Sequence, residues 1–358
     1  MRSARMEALS LKPRKPDQVS PARSICILLI LLWLALCSCA SKNGSGIHGA
    51  HSRTEPIAHI HEFRIPVSQS FPEGIAIGSD GAVWFTETRN VGRLAQSGQI
   101  QELKLQSIYA GPIGIARGQD GTMWIADSFG NQIAFVDSKW HITSIDVPSI
   151  EAAPEQIVVD SLGEVWFTEE KGSAIGRIDS KLRITEHPLR RGCHSNGIAA
   201  DRRGDIWFTE TTCNRIGRID SHDRMTEFEI PTADSQPLGV TVSRGGDIWF
   251  CEQASGRIGR IDTRGRLREF NLPDRQAVPK WITSGPDQKI WFTESRANRI
   301  ANISEDGRVT EYNVPTPGAF PEAITADSSG IWFTEPIANK IGYLSLDSTH
   351  PRRSKASS

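Results

Sequence analysis

Apolar and polar residues alternate along most of this chain in runs of four or five positions. No window of eleven residues shows a helical interval outside one N-terminal apolar run. That pattern predicts short, half-buried β-strands. The runs also recur as a unit. Trp-Phe-Thr-Glu or a close variant appears seven times, at Trp84, Trp124, Trp166, Trp207, Trp249, Trp291 and Trp332, in steps of 40, 42, 41, 42, 42 and 41 residues. Seven of the ten tryptophans therefore sit at one position of one repeat, which chance does not produce.

Each repeat holds four extended segments. Strand a is of the Gly74-Ile75-Ala76-Ile77 type, followed by a Ser79-Asp80-Gly81 turn of the kind that closes hairpins. Strand b is Val83-Trp84-Phe85-Thr86. Strand c is Ile216-Gly217-Arg218-Ile219 and its copies, and strand d is Met225-Thr226-Glu227-Phe228 and its copies. Four strands in about 42 residues is the spacing of propeller blades. The last repeat stops after Ile341-Gly342-Tyr343-Leu344, without a strand d. Its missing piece stands at the front, where Ile60-His61-Glu62-Phe63-Arg64-Ile65-Pro66 matches Val309 to Pro315. The expected fold is an all-β, seven-bladed β-propeller with four antiparallel strands per blade. The N-terminal strand completes the last blade and leaves no open edge. The propeller is assigned to residues 60–346.

Composition adds little to this, except at the ends. Lys and Arg total 41 against 42 Asp and Glu, so the phosphate-neutralising excess of a nucleic-acid binder is missing and no nucleic-acid partner is expected. Ile25 to Leu36 is a twelve-residue apolar run behind Arg14, Lys15 and Arg23, too short for a comfortable membrane span and right for a secretory signal. It ends in Leu36-Cys37-Ser38-Cys39, which resembles a bacterial lipobox with Cys39 as the lipidated residue. Residues 1–39 are thus expected to be a lipoprotein-type signal, 40–59 a flexible tether, and 347–358 a disordered, basic tail. A monomer in the bacterial cell envelope follows, on the periplasmic or outer side, held to the membrane only through this N-terminal lipid or signal. Without lipidation it would be secreted.

In an antiparallel blade the start of strand a lies beside the end of strand b. The lead residues of the seven innermost strands therefore ring one mouth of the central channel: Glu73, Ile113, Glu155, Asn196, Leu238, Lys280 and Glu322. These vary while the frame repeats, as a binding site on a scaffold does. A second ring follows strand b and is acidic in every blade: Glu87, Asp127, Glu169, Glu210, Glu252, Glu294 and Glu335. A feature present seven times reads as scaffold, with each acid accepting backbone N–H bonds. If the lead residue of strand a stands opposite the ring acid, Cys193 and Cys213 lie in the same register and form a disulfide outside the cytoplasm. Cys251 replaces the motif threonine and reads as a buried free thiol. Glu322 and Glu73, brought side by side by closure, form an all-oxygen environment suited to Mg²⁺ or Ca²⁺, unless Lys280 neutralises them. His194 is the one imidazole placed at the mouth, and Glu155 and Asn196 are expected to line it.

The unit P-x-G-I followed by W-F-T-E, N-x-I-G-R-I and T-E-F-x-x-P resembles that of the virginiamycin B lyase family over the whole propeller. The resemblance implies elimination at an ester-linked ring, assisted by magnesium and by histidines at the lead position of the last two blades. Here those positions carry Lys280 and Glu322, Phe320 stands where the resemblance implies an acid, and Glu335 is the nearest match to a further glutamate. Two functions are therefore carried forward. One is a metal-assisted carbon–oxygen lyase acting on a cyclic ester or lactone, with Glu322, Lys280 and His194 as catalytic candidates and Glu322, Glu73 and Glu335 as metal ligands. The other is a non-catalytic propeller that binds a small molecule, peptide or glycan at the same mouth.

Overall fold

The computed structural model describes residues 59–107 and 109–346. The signal through Cys39, the tether to residue 58 and the tail from residue 347 lie outside the described residues. Seven four-stranded antiparallel sheets form the blades, each with its strands in the order a-b-c-d. Among the described residues a single 3₁₀ turn, Thr211–Cys213, interrupts the all-β pattern, and no helix is long and apolar enough to cross a membrane. Closure is as expected. Ile60–Arg64 pairs antiparallel with the last strand, Lys340–Ser345, in the register Ile60 with Leu344 to Arg64 with Lys340.

Blades cohere because the two faces of strand b differ. The motif tryptophan of one blade packs against the Phe-bearing face of the next: Trp207 and Ile216 of blade four lie with Val240, Ile248 and Phe250 of blade five. The same packing joins blade seven to blade one, where Ile65, Trp332 and Tyr343 meet Val83, Phe85 and Leu94. Within the blade the glycine of Ile-Gly-Arg-Ile lies under the phenylalanine of strand b, and a Cβ on Gly217 would stand 2.1 Å from the Phe208 ring, although blade six seats Ala301 opposite Phe292.

Blade one departs from the pattern instructively. In blades three to seven the tryptophan stacks on an aromatic of strand d, as Trp249 does on Phe270 at 5.5 Å. Blade one has Leu103 there, and Trp140, on the c–d turn of blade two, supplies the aromatic instead at 5.3 Å from Trp84. Trp140 does so at φ 66°, in a turn position that Gly265 and Gly307 occupy elsewhere. A bulky residue rarely takes that conformation, so the stacking offsets local backbone strain.

Candidate functional site

The mouth residues are presented by a repeated device. In blade three Pro154 pairs with Glu169, but the next pair is Ile157 with Phe167, so Glu155 falls within a bulge. Four other blades do the same. The residue opposite the ring acid is thus the one before the lead residue, one position from the register expected above. The bulge frees the lead side chain from the ladder. Its carbonyl is then fixed from the neighbouring blade: the motif threonine accepts from strand a of its own blade and donates to the next lead carbonyl. Thr334 Oγ1 donates to the Glu73 carbonyl at 3.0 Å and Thr293 Oγ1 to that of Glu322 at 2.9 Å. Thr168 and Thr209 hold Asn196 and Leu238 in the same way. Where the motif carries Ala126 or Cys251 there is no hydroxyl to do this, and the lead residues concerned are Glu155 and Lys280. Cys251 is a buried free thiol, and burial pushes its pKa well up.

The charged lead residues are brought together. Lys280 Nζ donates to both carboxylate oxygens of Glu322, each at 2.8 Å. Asn196 donates from Nδ2 to Glu155 Oε2 and accepts from Thr211 Oγ1 at 2.6 Å. Glu73 carries no such partner. Desolvation in the ring pushes its pKa up to about 8, with Glu322 and Glu155 adding to the rise and Lys280 opposing it. Burial likewise raises Glu155 to about 7, with Glu170 and Glu322 contributing. Glu73, Glu155, Lys280 and Glu322 are therefore one electrostatic cluster, in which burial and mutual repulsion hold Glu73 and Glu155 above the ordinary carboxylate range.

The remaining candidates lie elsewhere. Glu335 is fully buried in its own blade, raised to about 8 by burial and by Glu62, and takes no part in the mouth cluster. His194 is half-buried on the rim, its backbone N–H bonded to Thr212 Oγ1 at 2.8 Å. Cys193 and Cys213 form the expected disulfide, with Cα atoms 5.2 Å apart. Among the described residues, the one group of three side chains close enough to share an ion is Cys193, Glu210 and Cys213, and its sulfurs are bonded to each other. The mouth carboxylates form no such group.

The acidic ring is scaffold, though not for the reason expected. All seven acids are buried, but only Asp127 accepts backbone N–H bonds, from Gly111 at 2.7 Å and Gly130 at 3.0 Å. Glu210 and Glu294 are bridged by Arg215 and Arg299 to the strand d acids Glu227 and Glu311. Glu252 accepts from Ser255 Oγ. The signal for these bridges was present in the sequence, as a cation opening strand c in blades four to seven.

Fold and mouth together define a closed propeller whose variable, charged end is held on an invariant frame. The profile of the virginiamycin B lyase family matches residues 48–193 and 183–350, and the chain belongs to that family. It is similar to selenomethionine-substituted virginiamycin B lyase from Staphylococcus aureus at 33% identity and TM-score 0.79, over 81% of this chain and 100% of that one. A catalytically inactive histidine-to-alanine form of the S. aureus enzyme, with quinupristin, matches at 33% identity and TM-score 0.78, over the same shares. A streptogramin B lyase structure matches at 32% identity and TM-score 0.78, over 81% of this chain and 98% of that one. Comparison with curated proteins gave no match.

Proposed function

We propose that this member of the family binds a small molecule or peptide at the channel mouth and does not carry out metal-assisted ring opening. One observation carries the reading: the Lys280 ammonium is bonded to both oxygens of Glu322. The protein's own cation already occupies the carboxylate that Glu322 would otherwise offer to a metal ion. A histidine is essential to the S. aureus relative, since its alanine form is inactive. The lead positions at which the resemblance implies histidines are here the two members of this ion pair. The donor set therefore does not suit Mg²⁺, and no step is assigned to a metal. Glu73 and Glu155 are left to meet the ligand, one as a hydrogen-bond donor and the other as an acceptor or counter-charge.

Titration calorimetry with Mg²⁺ tests this. The wild-type protein is expected to give no saturable heat, whereas Lys280→Met, which frees Glu322 beside Glu73, should gain binding that Glu322→Gln then removes. Stoichiometric Mg²⁺ binding by the wild-type protein, lost in Glu322→Gln, would restore the metal-assisted reading. A second reading rests on the raised carboxyl pair. A base near pKa 7 and an acid near pKa 8 suit proton abstraction and leaving-group protonation without a metal. In that reading the protein is a carbon–oxygen lyase with Glu155 as base and Glu73 as acid.

A further inference from the structure

In blades four and six the buried ring acid and the strand d acid share a cation from the first position of strand c, whereas in blade seven Lys340 meets only the strand d acid Glu62. Arg215 lies 3.0 Å from Glu210 and 2.6 Å from Glu227, Arg299 lies 3.0 and 2.9 Å from Glu294 and Glu311, and Lys340 lies 2.6 Å from Glu62. Blade three has the same two acids, Glu169 and Glu186, but Ala174 at the position of the cation. Both Glu169 oxygens are sealed from solvent and have no donor among the described residues. Glu186 is occupied: it accepts from the backbone N–H and the hydroxyl of Ser149, each at 2.9 Å. Those bonds reach from blade three to the loop that leaves blade two and ends, six residues later, at Glu155 in the mouth.

Glu186, half-buried, stands to Glu169 as Glu227 does to Glu210 on either side of Arg215, and two such carboxylates without the cation repel one another. A counter-charge is needed at Glu169, whose two oxygens are closed off from bulk solvent. We propose that Glu169 and Glu186 share one proton, which takes the place of the arginine of other blades and makes the latch on the Ser149–Glu155 loop sensitive to pH. The other charged groups nearby are committed elsewhere. Arg177 on strand c pairs with Glu164 and Asp223, and Glu170 on the b–c turn acts on Glu155. His187, next along strand d, stacks on Trp166, and burial lowers its pKa. Neither it nor Lys171 or Glu151 contributes to Glu169, whose pKa burial and Glu186 together push up to about 8.

The sign follows directly. A carboxyl near pKa 8 when folded and near its ordinary value when unfolded binds a proton only in the folded state between those limits. Its contribution to stability is therefore lost as pH rises from about 4.5 through 8. The test uses three proteins: wild type, Glu169→Gln, which donates to Glu186 without a proton to lose, and Ala174→Arg, which supplies the cation. Calorimetric unfolding at pH 7, in two buffers of different ionisation enthalpy, counts the protons released. Both variants are expected to release about one fewer than wild type. Hydrogen exchange of residues 147–155, corrected for intrinsic rate, should accelerate between pH 6 and pH 8.5 in wild type and stay level in both variants. Equal proton release in wild type and Glu169→Gln would overturn the proposal. So would a melting temperature raised by Na⁺, Mg²⁺ or Ca²⁺ in wild type but not in Glu169→Gln, since the counter-charge would then be a metal ion. Neither readout involves the mouth ligand, so the outcome is independent of the function proposed above.

Discussion

Deleting residues 60–66 should abolish the cooperative unfolding transition of the whole propeller. Ile65 is fully buried among Trp332, Tyr343, Val83 and Phe85, so its loss opens the contact between the last blade and the first. The deletion also removes five paired positions against Lys340–Ser345. Glu62 goes with it, leaving Lys340 in a half-buried position and Thr316 without its two bonds to that carboxylate. Fully burying one Ile or Phe is worth roughly 1.5–3 kcal/mol, Ile60, Phe63 and Ile65 all leave together, and the half-buried Glu62–Lys340 pair adds a smaller amount. The sum is comparable to the whole stability of an ordinary domain, about 5–15 kcal/mol. Circular dichroism against temperature should show no sharp transition, whereas a chain lacking residues 41–57 should melt as the full chain does. Equal melting temperatures for the two truncations would refute closure by this strand.

Breaking the Cys193–Cys213 bridge is the second large effect. It closes a loop of twenty residues between the start of strand a and the b–c turn of blade four. By loop entropy such a bridge contributes roughly 3 kcal/mol. Local packing adds to this: Cys193 is fully buried, and Arg215 Nη2 lies 3.3 Å from its sulfur. The Cys193→Ser/Cys213→Ser protein should melt several degrees below wild type, and reductant should lower the wild-type value to match. A wild-type melting temperature indifferent to reductant, with two free thiols by mass spectrometry, would remove the bridge from the account.

The fold was open to reading because a propeller writes its period into the chain. Each blade must offer a tryptophan face and an opposite apolar face, phenylalanine in six blades and Ile125 in blade two, so Trp84, Trp124 and their five counterparts fall at one spacing. The missing strand d after Leu344 and the surplus one at Ile60 were equally plain. The lead positions of the mouth could also be located, because variation on a repeated frame marks them. Two features were not legible. The bulge at the head of strand a moves the pairing by one residue; Gly114, Gly197 and Gly239 stand there in three blades, but Gln156 and Trp281 form it as well, so residue type alone does not announce it. The partners of the acidic ring were missed because they come from strand d and from the first residue of strand c, some 5 to 17 positions away, and only the folded sheet brings them together. Lys280 and Glu322 lie 42 residues apart, one full repeat in consecutive blades, so their pairing could be named from the sequence as the alternative to a metal.

The account turns on whether the mouth still opens an ester ring. Quinupristin, held by the inactive S. aureus relative, is the direct probe. Elimination breaks the ring without adding water and leaves the mass unchanged, so the product is read by its chromatographic shift and by the new alkene proton in NMR. After prolonged incubation with the wild-type protein and Mg²⁺, quinupristin is expected to be recovered cyclic, at the level of a protein-free control. Ring opening above that control, abolished by Glu155→Gln or Glu322→Gln, would show that the mouth is catalytic and contradict the binding function proposed for it.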